Sequence, residues 1–353
     1  MTYFVVAYYA FLIGLSSAAA YYKMRSVFLT LFTLTLVSFV VGIVGGTQWL
    51  WGITVAAALL ALAAGTSYAF REFLVLIAPH ELAKELKTAP LTAAFGLFVI
   101  FTYAVAGIFA PWIAPYGEAE VIASAFAPAD ENMLLGADQL GRDIFSRIIY
   151  GTRNSVGLAL VATLLAFIMG AVGGLLAATK GGWFDQALGR IADVIMSVPS
   201  LIFALLMLSI FGTELWVIVI VVAVIYSPRV FRLTRAVAGN VVVMDYIEAA
   251  RLRGEGTWYL IRREILPNST SPLIAEFGLE FCFVFLLIAG LSFLGLGIQP
   301  PTADWGSMVR ENATLISFGE ITPLIPAAAI ALLTVAVNFV VDWMLYQASG
   351  LKE

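Results

Sequence analysis

Two glutamates, Glu276 and Glu280, stand one helical turn apart inside an apolar run of this 353-residue chain. A charge near the centre of a bilayer costs roughly 2.5–3.5 kcal/mol on insertion scales, so the pair must face a pore, a partner helix or an interface. Facing a pore, it would favour cationic or amine-bearing solutes. In a helix contact it would only pack or reach towards the headgroups. Other reactive chemistry is scarce. The single histidine, His80, and the single cysteine, Cys282, cannot build a zinc or iron site from their own side chains. Neither lies near a partner for nucleophilic or acid–base catalysis, which argues against a membrane enzyme.

A second polar group reads D-Y-I-E-A-A-R-L-R-G from Asp245 to Gly254 and continues to L-P-N at Leu266 to Asn268. Set between greasy segments, it is built for a soluble partner. Asp245 with Glu248 three residues on has the form of a capping box, and both carboxylates suit the positive end of a helix dipole. Gly254 is a natural C-terminal stop. Between them Tyr246, Ala249, Ala250 and Arg253 share one face by i, i+3, i+4 spacing. Two adjacent alanines give that face a shallow surface able to enter a cleft. A second helix is expected from about Thr257 to Leu266, ended by Pro267 as the chain returns to the membrane.

The elements that carry these residues must live in lipid. Hydrophobic residues make up 61% of the chain, charged residues 12%, and the mean hydropathy is +0.97. A soluble domain carries about twice that charge. The chain is therefore all-α and polytopic, with nine candidate spans near 3–22, 27–46, 49–70, 91–112, 155–179, 191–212, 215–234, 271–294 and 321–343. The apolar runs are unbroken rather than alternating, which argues against strands. No basic n-region or clear cleavage site marks a removable signal peptide. With the 245–268 loop in the cytoplasm, 15 of the 19 basic residues fall inside and only Arg142, Arg147, Arg153 and Arg310 fall outside. The N-terminus is then external and the C-terminus cytoplasmic.

Four regions are expected: a three-helix membrane extension at 1–70, a cytoplasmic linker at 71–90 with a short surface helix, a membrane core at 91–345, and a tail at 346–353. The first outer loop, about 113–154, holds L-G-A-D-Q-L-G-R-D at 135–143, with Gly136 and Gly141 suited to turns. From Asp143 an amphipathic helix is expected in the outer interface, leading into the next span. Anchoring the structure and receiving solute are both open to it. The second outer loop reads L-S-F-L-G-L-G-I-Q-P-P-T-A-D-W-G from Leu291 to Gly306. Pro300 and Pro301 stop a helix there, and Trp305 suits an interface belt. A pore cap and a plain turn are equally open. Asp193 and Asp342, near inner span ends, suit capping or salt bridging.

E-A-A-R-L-R-G at 248–254 with L-P at 266–267 resembles the EAA loop of ATP-binding cassette (ABC) importer permeases. The two outer-loop motifs resemble those of the dipeptide/oligopeptide/nickel importer permeases, most of all the C-type of the two that pair there. Glu264 replaces the usual Ile before Leu266, and Ala137 stands where Thr is commoner. The likeness covers roughly 84–345 and leaves the 1–70 extension outside. The resemblance implies an inner-membrane permease that forms half of a pathway for peptides or a related small solute. It implies a homologous second permease, two ABC ATPase subunits and an external substrate-binding protein, with membrane lipid around and no nucleic acid. Residues Asp245, Tyr246, Glu248, Ala249, Ala250, Arg253, Gly254, Leu266 and Pro267 would couple to the ATPase. Gly136, Asp138, Gly141, Arg142, Asp143, Pro300, Pro301 and Trp305 form the outer motifs. No cofactor is expected on this chain, which lacks a G-x-x-x-x-G-K-[ST] phosphate loop; ATP and Mg belong on the ATPase. An ion-coupled secondary transporter is the alternative. Mid-membrane acids suit it, but the coupling loop would have no purpose in it.

Overall fold

The computed structural model describes residues 12–19, 21, 28–33, 35 and 51–348. Most of the first two expected spans, and residues 349–353 of the tail, lie outside the described residues. The chain divides into two compact units, Met1–Val99 and Ile100–Glu353. Among the described residues both are helical, with two isolated antiparallel bridges, Val121 to Arg142 and Ala137 to Asp143.

In the first unit, helix α1 (Trp51–Ile77) is followed by α2 (His80–Thr88). Arg71 joins them: its Nη1 donates to Ala89 O at 3.1 Å, and its guanidinium lies 5.0 Å from the Tyr68 ring. Ala19, Phe28 and Tyr68 form a small buried cluster.

The long helix α3 (Leu91–Ile108) leads into the second unit, where short α4 (Ala110–Ile113) precedes the outer loop. Then α5 (Ile144–Gly151) passes through a π-helical turn, Thr152–Val156, into α6 (Gly157–Lys180). Next come α7 (Gly182–Met196), α8 (Ser200–Phe211) and α9 (Leu215–Val242). The hairpin helix α10 (Asp245–Leu252) follows. Then a helical turn, Thr257–Tyr259, runs through a π-helical stretch, Leu260–Ile265, into α11 (Leu266–Phe293). Last are α12 (Trp305–Asn312) and α13 (Leu324–Ala348).

Six helices among the described residues are long and apolar enough to cross a bilayer. The span expected near 191–212 is not one straight helix. It is the pair α7 and α8, which meet at 87° around Pro199. Proline disfavours α geometry in the residue before it, and hydropathy alone cannot register that break.

The core of the second unit is the contact of α6 with α9. Gly170 and Gly174 let the two backbones approach: a Cβ on Gly170 would stand 2.5 Å from Ser227 O, and one on Gly174 2.7 Å from Thr234 Cβ. Small residues four apart pack membrane helices this way, since lipid offers no hydrophobic drive between them. Val222, Ala223, Val284, Phe285 and Ile288 fill the space between α9 and α11.

Candidate functional site

The inner hairpin is assembled on α10. Ile247 and Ala250 are fully buried, against Leu260, Ile261 and Ile265 of the following stretch and Leu175 of α6. The expected docking face therefore needs correction. Ala250 belongs to the chain's own packing and is not open to a partner. The outward residues are Tyr246, Glu248, Ala249, Leu252 and Arg253, and Leu252 is 83% exposed. The capping box is also absent. The N-cap is Met244, with no side-chain cap bond, and Asp245 is the first residue of the helix. Asp245 and Glu248 still lie in its first turn, where the dipole favours them.

The helix ends as expected. Gly254 has φ +82°, Gly254 N donates to Arg251 O at 2.9 Å, and Glu255 N donates to Ala250 O at 3.2 Å. This pair of bonds is the Schellman arrangement, which satisfies carbonyls left open at the helix end. Pro267 does not end a second helix. It stands where the π-helical stretch passes into α11, inside a continuous helix that lacks its N–H bond at that point. The π-helical stretch Leu260–Ile265 precedes it, so helix continues from Thr257 to Phe293. Leu266 is exposed beside it.

On the other side of the sequence map, the outer-loop motifs converge. Asp138 Oδ1 accepts from Leu140 N at 2.8 Å and Arg142 N at 3.0 Å, while Oδ2 accepts from Arg142 Nε at 2.8 Å and from Arg147. Glu311 Oε2 accepts from Arg142 Nη2 at 3.0 Å and Arg147 Nη1 at 3.1 Å. All four side chains are buried. Burial pushes the Asp138 carboxyl up, but the two backbone amides and the guanidiniums of Arg147 and Arg142 outweigh it and hold it below the usual value.

Asp143 caps α5, accepting from Ser146 N at 2.8 Å and Ser146 Oγ at 2.6 Å. One face of this helix is packed into the protein. Ile144, Ser146, Arg147 and Ile149 are buried in protein. Asp304 caps α12 through Ser307 N at 2.9 Å and accepts from Ser155 Oγ at 2.7 Å. Burial raises its pKa, against the pull of hydrogen bonds from Ser307 and Ser155. Trp305 is fully buried rather than in an interface belt: its Nε1 donates to Ile148 O at 3.0 Å and its ring meets Tyr103 edge-on at 5.4 Å. Asn154 Nδ2 and Ala303 N both donate to Glu118 Oε2, at 3.0 and 2.8 Å. Gly136 and Gly141 occupy turns, with Gly141 N donating to Asp138 O at 3.0 Å. Pro300 and Pro301 are exposed and joined by a cis bond.

The sequence motifs did not reveal Glu311, Glu118, Asp304 or Ser155 as partners. Asp304, in A-D-W-G-S, carried the signal of a helix cap three residues before Ser307.

Within the membrane part, Glu280 is 2% exposed, and its Oε2 has no hydrogen-bond partner among the described residues. Glu276 is half-buried. Arg229 of α9 acts on both as an opposing charge. Asp193, as the inner-end position suggested, pairs with Arg232; Asp185 pairs with Arg235.

Comparison with known proteins adds a family to this geometry. The family described as "Binding-protein-dependent transport system inner membrane component" matches residues 169–348. The chain is 35% identical over 254 residues to "Di/tripeptide transport system permease protein DppC" of Pseudomonas aeruginosa, covering 70% of this chain and 84% of that one. It is 35% identical over 255 residues to "Glutathione transport system permease protein GsiD" of Pectobacterium atrosepticum, covering 70% and 83%. It is 34% identical over 265 residues to "Dipeptide transport system permease protein DppC" of Alkalihalophilus pseudofirmus, covering 74% and 86%.

Proposed function

We infer the function from one premise: this chain belongs to the family of binding-protein-dependent transport system inner membrane components. It is a multi-pass inner-membrane permease subunit of an ABC importer, not an enzyme. Family membership favours this reading over an ion-coupled secondary transporter. The solute class we propose is peptides or a related small solute, in keeping with the names of its relatives.

The finer assembly is part of the proposal. One second permease completes the pathway, two ATPase subunits bind ATP and Mg, and an external binding protein delivers the solute. The N-terminus is external and the hairpin and C-terminus are cytoplasmic, in line with the distribution of Lys and Arg. Residues 91–345 carry the pathway, and 1–70 is an added membrane extension joined through 71–90.

One observation carries the coupling proposal. The α10 helix anchors one face through Ile247 and Ala250 and turns Tyr246, Ala249 and Leu252 outward on a charged hairpin. An apolar patch rimmed by charge is the usual look of a docking surface. ATP-driven closure of the ATPase pair would press this hairpin, and the preference of nucleotide for the closed pair would pass to the permease. The test is retention of the ATPase by Leu252→Asp and Tyr246→Asp in a mild-detergent pull-down. Both variants are expected to keep the sister permease and lose the ATPase by about tenfold or more, the loss of roughly 1.4 kcal/mol or greater. Retention at the unsubstituted level in both would remove the hairpin from the coupling interface.

A further inference from the structure

The bend between α7 and α8 opens a cavity of about 220 Å³, lined by Val198, Pro199, Ser200, Phe203, Tyr226 and Arg229 among others. Three arginines of α9 follow one another at three-residue spacing, and they are used differently. Arg235 pairs with Asp185 and Arg232 with Asp193, both on α7. Arg229 is the next one up the helix, where α7 has ended. It makes no ion pair and donates no hydrogen bond among the described residues. It is held by two rings instead, with its guanidinium carbon 5.5 Å from the Tyr226 centroid and 4.8 Å from that of Phe283.

Arg229 lies fourteen residues into α9, about 21 Å along it at 1.5 Å per residue, just past the end of the unbroken apolar run Leu215–Tyr226. It is also exposed on the surface of this chain. An arginine at that depth cannot rest against lipid without cost, and such residues face a bundle interior or a water-filled path. Glu276 and Glu280 act on it from α11, yet neither comes within 4 Å of it. They moderate its charge without occupying its donors. A guanidinium presents five N–H donors in a planar fork that matches a carboxylate.

We propose that this cavity is an anion-holding subsite on the solute path, in which Arg229 takes a carboxylate of the transported solute while Glu276 provides an opposing pole. The proposal rests on the reading of this chain as a permease subunit, and it deepens that reading by naming a chemical class.

The test places a thiol in the cavity of the assembled importer with Ser200→Cys. Its reaction rates with a negatively charged sulfonatoethyl and a positively charged trimethylammonium-ethyl methanethiosulfonate are compared, each divided by the rate with a free thiol. The unsubstituted chain, whose Cys282 is buried, gives the background. Clefts lined by one sign of charge raise the local concentration of counter-ions by about tenfold or more. The anionic reagent should therefore lead by about that factor. Adding Arg229→Met should abolish that lead and, with Glu276 left unopposed, tip the ratio towards the cationic reagent, whereas adding Glu276→Gln should raise it. A ratio unmoved by Arg229→Met would overturn the subsite, and so would a thiol that reacts with neither reagent in the full assembly, because a neighbouring chain would then fill the cavity. Copurification of an ATPase is read on the same samples. An intact assembly with a flat ratio condemns the subsite alone, whereas a chain that brings down no ATPase condemns the importer reading.

Discussion

The outer loops and the inner hairpin are both rich in charge, and they use it in opposite ways. In the first, Asp138, Arg142, Arg147 and Glu311 are buried together and pair with one another across a gap of 164 residues between Arg147 and Glu311. In the second, the charges of α10 all point outward, and the helix is held by two apolar anchors, Ile247 and Ala250. A buried ion cluster fixes geometry, because any loosened member leaves its partner uncompensated. A hairpin held by a small apolar patch can shift without stranding a charge. The difference separates a part that is fixed in place from a part that is free to shift.

The largest effect that would break this contrast is expected at Asp138. Asp138→Asn leaves two guanidiniums facing one carboxylate, and removing one partner from such a cluster costs about 3–5 kcal/mol. Thermal melting of the detergent-purified chain should show it; a variant that melts like the parent would mean the cluster holds nothing. The same group makes a pH prediction. Folding holds its carboxyl below the ordinary value of 3.8. Its contribution is therefore complete above that value and is lost as pH falls through the lower, folded one. Hydrogen exchange at 136–147 should stay slow at pH 5 and accelerate only in acid below the ordinary value, with the hairpin indifferent over the same range.

On the inner side, Ala250→Asp should force an unpaired charge into the patch beneath α10, at a penalty of several kcal/mol that fraying of the hairpin relieves. Exchange across 245–265 should rise at least about tenfold while the melting temperature of the membrane part barely moves. A global drop in melting temperature would make the hairpin as integral as the outer cluster. Gly254→Ala is milder: a left-handed backbone costs an L-residue about 1–2 kcal/mol, and exchange should rise in the last turn of α10 only. Leu252→Asp, offered above as the ATPase test, should change stability by no more than about 0.5 kcal/mol, since the residue touches little in this chain.

Much of this was legible in the residues, and the failures are instructive. Apolar length marked the membrane helices because lipid imposes one strong constraint, internal satisfaction of the backbone. Gly254 marked the end of α10 because few residues accept its backbone conformation. The face of α10 was misread because adjacent alanines look like a surface made for sliding. Ile247 was the better guide: it is the one large aliphatic residue between Asp245 and Arg251, and with Ala250 it repeats at three-residue spacing. The break at 197–199 was hidden because hydropathy averages over it, although Pro199 stood in plain view. Glu311 was beyond reach, since its partners come from a loop far back in the chain and nothing local marks it.

The unbroken helix from Thr257 to Phe293 has a mechanical consequence. At 1.5 Å per residue its 37 residues span about 55 Å, more than the thickness of a membrane with its headgroups. One end rests on the hairpin anchors Leu260, Ile261 and Ile265. The other brings Ala289 and Ser292 against Gly306, beside the capped α12. Its two prolines, Pro267 and Pro272, both fall in the inner part and remove backbone bonds there. The rod is thus a lever with its compliance gathered near the handle. A push at the hairpin end would be taken up in part at the prolines and passed along the rest of the rod towards α12.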